Sequence, residues 1–120
     1  MTDWRQRNNA PEAGTIVGPI SEVGPGGREY VFGRGIGAFR LFVVRYEDGV
    51  RAYLNLCPHY SLPLNHRADE FLTRNGDRIM CRQHLALFAI EDGRCLDGAC
   101  EGKGLQTIPV ILDDNIMKVG

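Results

Sequence analysis

Two short segments, Cys57-Pro58-His59 and Cys81-Arg82-Gln83-His84, each carry one thiol and one imidazole. A fold that uses both must hold together two points separated by residues 60 to 80, which restricts the architecture more than composition does. Two thiolates and two imidazoles make a complete ligand set for a small metal centre. Zinc sites usually open with two cysteines and close with two histidines, whereas here each segment delivers one ligand of either kind. Read singly, each histidine fits a surface or core position and each cysteine a small buried hydrophobe. The shared register, with both pairs following β-rich runs, favours a common metal.

The surrounding pattern is strand and turn. Phe39 to Tyr46 and Val50 to Leu56 flank Glu47-Asp48-Gly49, where Asp-Gly is expected to supply the positive φ of a tight hairpin, so the second strand runs straight into Cys57. Phe71 to Thr73 and Arg78 to Met80 flank Arg74-Asn75-Gly76-Asp77, and the return strand delivers Cys81. Leu85 to Ile90 and Arg94 to Leu96 flank Asp92-Gly93, while Thr107 to Leu112 and Ile116 to Val119 flank Asp113-Asp114-Asn115. Earlier, glycines between Gly14 and Gly37 interrupt Thr15 to Val17 and Tyr30 to Phe32. Turn signals at short, regular spacing with no sustained helical period predict an all-β antiparallel sandwich or barrel. Gly33-Arg34-Gly35-Ile36-Gly37 looks like a phosphate loop only superficially; no helical pattern follows it, so it reads as a glycine-rich β connection.

At 120 residues the chain is expected to be one domain. Residues 1–13 show no period and read as a flexible arm whose Trp4 can dock on the body, leaving 14–120 as a single domain with its ligand-bearing part at about 55–90. A net charge of −1 excludes non-specific nucleic-acid binding, which needs a basic surface. The apolar runs Leu41 to Val44 and Ile108 to Leu112 fall far short of the ~20 residues of a membrane helix. The first fourteen residues lack the apolar stretch of a signal peptide, so a cytoplasmic protein is expected. In that reducing compartment Cys95 and Cys100 read as free thiols in a packed loop, a disulfide or redox role being the alternative. His66 stands outside the pattern and reads as an ordinary loop histidine.

The C-x-H and C-x-x-H segments together resemble the Rieske family, in which histidines replace two of the cysteines around a [2Fe–2S] cluster. The resemblance implies a β-sandwich or barrel with a small cluster-binding subdomain made of two loops. It implies that Cys57 and Cys81 hold the inner iron and His59 and His84 the outer one, near the surface. Residues 60 to 80 make a longer gap than ferredoxin-type members commonly have, and the Asn75-Gly76 hairpin can absorb the difference. Two thiolates rather than four leave the oxidised cluster neutral instead of doubly negative, so the potential rises.

High-potential members carry a serine and a tyrosine whose hydroxyls bond to sulfur, at positions that here are Ala86 and Phe88. They also carry a disulfide between the loops, at positions that here are Leu62 and Gln83. Without those donors the resemblance is to Rieske ferredoxins at the low end of the range, about −150 mV. Tyr60, Leu62, Pro63 and Leu85 are expected to shield the cluster and form a docking patch.

Three histidines, two of them taken by the cluster, are too few for the mononuclear iron of a Rieske oxygenase, and no dinucleotide fingerprint is present. The chain is therefore expected to be an electron-transfer component and not an enzyme. The resemblance implies transient partners: a flavin-dependent NAD(P)H ferredoxin reductase as donor, and a terminal oxygenase, often acting on aromatic compounds, as acceptor. Two other readings stand beside it: the small Rieske subunit of a larger reductase such as nitrite reductase, and a redox-sensing module built on Cys95 and Cys100.

Overall fold

The computed structural model describes residues 3–58, 62–65, 67–83, 85–98 and 103–120. Within them the strands are β1 (Ile16–Pro19), β2 (Arg28–Phe32), β3 (Phe39–Tyr46), β4 (Gly49–Leu54), β5 (Ile79–Met80), β6 (Leu87–Phe88), β7 (Cys95–Asp97), β8 (Thr107–Ile108), β9 (Val110–Asp113) and β10 (Ile116–Val119). The only helical elements among the described residues are single 3₁₀ turns. The ladders are antiparallel and build three sheets, β1-β10-β9, β2-β3-β4-β8 and β5-β6-β7. The all-β expectation is met.

β3 explains the layering. Strand side chains alternate between faces, and here both faces are apolar, so the strand is covered on both sides. Phe39, Leu41 and Val43 pack with Trp4, Met117 and Val119 on one side. Phe42 and Val44 pack with Cys57, Phe71, Cys81 and Phe88 on the other. β4 divides in the same way, with Ala52 and Leu54 in the first core and Tyr53 in the second. The four-stranded sheet is thus the central wall between a structural core and a core beneath the two ligand segments. Phe42 and Phe71 stack at 4.4 Å with rings 4° from parallel, fixing the second core against the wall.

Three local expectations change. Thr107 to Leu112, read as one strand, is two: Pro109 has no N–H for a ladder, and the chain passes there from the sheet of β8 to that of β9. Phe71 to Thr73 forms no strand, only the isolated bridge Leu72–Ile79, because Phe71 N–H is spent on the Gly26 carbonyl at 3.0 Å. In the β3–β4 hairpin the left-handed residue is Glu47, φ 53°, while Gly49 already pairs with Tyr46 inside the ladder. The segment read as an arm is anchored: Trp4 is buried, rests on Phe39 at 6.0 Å, and its N–H donates to Gln106 Oε1 at 2.7 Å.

Candidate metal centre

The first ligand segment starts where β4 stops. Asn55 is the one polar residue in the buried core of the described chain, and it ties the segment on three sides. Its N–H donates to the Arg40 carbonyl at 2.9 Å, its Oδ1 accepts from Leu64 N–H at 2.9 Å, and its Nδ2 donates to Asn65 Oδ1 at 3.1 Å and to Glu29 Oε2. Cys57 N–H then closes the loop on the Leu62 carbonyl at 2.7 Å. A buried amide must satisfy its hydrogen bonds, so the loop and the strand hold one another in place.

The second segment starts where β5 stops. Met80 N–H donates to the Phe71 carbonyl at 2.9 Å, Cys81 N–H to that of Ala86 at 2.9 Å, and Leu85 N–H back to that of Cys81 at 2.8 Å. This tight return puts Leu85 at φ 61°, a left-handed backbone that side chains with a β-carbon seldom adopt, and leaves Leu85 66 % exposed. Gly98 closes over the turn from behind: at φ 109°, a β-carbon there would lie 2.8 Å from Ala86 Cα.

Among the described residues, two hydrogen bonds join the segments. Arg82 N–H donates to the Leu64 carbonyl at 2.7 Å, and Gln83 Nε2 to the Pro63 carbonyl at 2.9 Å. Beneath the loops, Tyr53 donates its hydroxyl to the Ile90 carbonyl, and burial pushes that hydroxyl up to about 12. Neither this tyrosine nor Asn55 was marked by the motif; the only sequence signal for Asn55 is a lone polar side chain in the apolar run that leads into Cys57.

Cys57 and Cys81 both lie in the core beneath the two segments. Both are wholly buried in the same apolar core, and neither is in a disulfide. Two soft thiols in one core, shielded from water, fit the inner side of an iron–sulfur cluster. His59 and His84 lie outside the described residues, as do Tyr60, His66 and Cys100. Cys95, expected as a free thiol, is disulfide-bonded; it is partly buried at the margin of the core that holds Cys57 and Cys81. Among the described residues, which leave out both expected ligand histidines, no three metal-ligating side chains gather at one place. Leu62, Pro63 and Leu85 are exposed beside the segments.

The Rieske [2Fe-2S] domain model matches residues 15–109. No curated protein sequence matches. Among solved structures, the ferredoxin of carbazole 1,9a-dioxygenase from Nocardioides aromaticivorans IC177 superposes with a TM-score of 0.69 at 23% identity, over 91% of this chain and 98% of that one. A complex of reduced oxygenase and oxidized ferredoxin in carbazole 1,9a-dioxygenase gives 0.66 at 26% identity, over 88% and 99%. A structure titled as a nitrite reductase small subunit gives 0.61 at 22% identity, over 88% and 99%.

Proposed function

Because this chain belongs to the Rieske [2Fe–2S] domain family and so binds one [2Fe–2S] cluster, we propose that it is a one-electron carrier of the ferredoxin type within a multicomponent oxygenase system. The donor in this reading is a flavin-dependent NAD(P)H reductase, the acceptor a terminal Rieske-type oxygenase acting on an aromatic compound, and the compartment the cytoplasm. The observation that carries the reading is the pair of buried thiols, Cys57 and Cys81, on two loops joined by Arg82 N–H to Leu64 and Gln83 to Pro63. Residues 14–120 act as the domain, and about 55–90 as its cluster-binding part.

In this reading Cys57 and Cys81 would hold the inner iron and His59 and His84 the outer iron. When bound, the cluster takes up and releases single electrons. The protein's share is to fix the ligands and keep water out. Phe71, Phe88 and Ala86 surround the thiols with apolar surface, and Asn55 holds the first loop on its strand. Ala86 and Phe88 are fully buried but bring no hydroxyl toward sulfur, which favours a potential near the low end of the family's range, about −150 mV. Leu62 and Leu85 offer an apolar rim of the kind that suits brief encounters.

The test is reconstitution with iron and sulfide under anaerobic conditions, then visible absorption and electron paramagnetic resonance of the dithionite-reduced protein. Changing His59 or His84 to Cys is expected to lower the potential and alter the spectrum. The carrier role requires that the reduced protein support turnover by an oxygenase encoded nearby; stable co-elution with a larger reductase would replace it by the subunit reading.

A further inference from the structure

Ile36 and Gly37, at the end of the connection from Gly33 to Gly37, line an open cleft of about 540 Å³. Leu56 and Pro63, which flank the start of the first ligand loop, line the same cleft, so it ends beside the cluster-binding region. Arg7 and Arg40 also line it, and among the described residues no carboxylate does. Ile36 is 108% exposed, the most exposed large apolar side chain of the described residues.

A single exposed apolar residue is ordinary on a protein surface. Ile36 differs in being held out by a braced backbone. Asn9 Nδ2 donates to the Gly37 carbonyl at 2.8 Å, and Ala38 N–H to that of Gly35 at 3.1 Å. Gly33, at φ 89°, fits so tightly on Asn9 that a β-carbon there would fall 2.5 Å from its side chain. Arg40 pairs with Glu29 at 3.2 Å but keeps 44% of its side chain exposed, and among the described residues Arg7 makes no ion pair. A chain of net charge −1 thus presents a cleft whose charged lining is positive.

We propose that this cleft is a second docking point for a protein redox partner, taking an acidic segment that sets one apolar side chain against Ile36. The proposal rests on the electron-carrier reading and adds the partner's chemistry to it. Contact at the cleft as well as at the Leu62 and Leu85 rim would fix the partner's orientation, and complementary charge would speed the encounter.

The test uses the cluster-loaded protein, with the reductase and the oxygenase encoded beside its gene. The rates of its reduction by one and oxidation by the other are measured by stopped flow as a function of salt. Ile36→Ser, which alters no charge, and Arg7→Glu, whose side chain is in no described ion pair, are compared with the parent protein at equal cluster content. Each is expected to lower at least one of the two second-order rates about five- to tenfold, the size of a contact of moderate weight at an interface. Arg7→Glu is also expected to flatten that rate's salt dependence. If the parent protein exchanges electrons and both variants match it in rate and salt dependence, the cleft is not a docking point. If the parent exchanges no electrons with either enzyme, the carrier reading fails instead.

Discussion

Gln83 and Pro63 lie on different ligand loops and meet through one hydrogen bond, from the Gln83 side-chain amide to the Pro63 carbonyl at 2.9 Å. With Arg82 N–H on the Leu64 carbonyl, it couples the loops noncovalently. Gln83→Ala is expected to cost about 1 kcal/mol of loop coupling. The readout is faster loss of the cluster's visible absorbance on mild heating, with strand content by circular dichroism unchanged.

Asn55 carries more. Removing its amide strands the Leu64 N–H in a buried site and frees Glu29 and Asn65 from their shared partner. Asn55→Ala is expected to destabilise the protein by about 2–3 kcal/mol, since a buried donor left unsatisfied costs its desolvation. Denaturant unfolding would show the loss, and iron per protein after purification should fall with it.

Leu85 combines φ 61° with 66 % exposure, a backbone and a solvation state that both disfavour leucine. Residues held in such regions concentrate at functional sites. Leu85→Gly is expected to gain up to about 1 kcal/mol of stability by relieving the left-handed strain, offset in part by the entropy of glycine in the unfolded chain. The same change should weaken partner binding, measured by titration of the cluster-loaded protein. Stability and binding lost together would mean that the leucine serves the fold.

Ala86 is buried in the core that holds both thiols. Ala86→Ser is expected to raise the reduction potential by on the order of 50 mV, because a hydroxyl hydrogen bond to sulfur favours the more negative reduced state. Protein-film voltammetry reads the shift directly. An unchanged potential with an intact spectrum would show that the hydroxyl does not reach sulfur.

Tyr53 links stability to pH. Burial raises its hydroxyl to about 12 from an ordinary 10.0, so in the unfolded chain it loses its proton first. The contribution is fully present below pH 10 and is lost as pH rises toward 12, because over that window the unfolded state binds fewer protons. Tyr30 is also raised to about 12, by burial and by Glu22 beside it, and adds to the same decline. Tyr53→Phe is expected to cost about 1–2 kcal/mol near neutrality, since the Ile90 carbonyl loses its donor, and to make the alkaline decline shallower while the Tyr30 part persists. Urea unfolding at neutral and alkaline pH separates the two effects.

The residues alone determined the all-β class, the places where hairpins turn and the chemistry offered by Cys57, His59, Cys81 and His84, because these depend on local pattern: alternation, Asp-Gly and Asn-Gly turns, and ligand type at fixed spacing. Within β3 the sequence also carries the unbroken apolar run Leu41 to Val44, as a strand covered on both faces requires. Only the tertiary structure decided which face of that wall holds the thiols, that Asn55 and Gln83 brace the loops, that Thr107 to Leu112 divides at Pro109, and that Ile36 stands over a cleft reaching Pro63. Those relations join residues far apart in the chain, such as Glu29 with Asn55 and Pro63 with Gln83. A hydrogen bond of that kind leaves no periodic mark in the sequence, because any polar side chain of suitable reach satisfies it once the fold has brought the partners together.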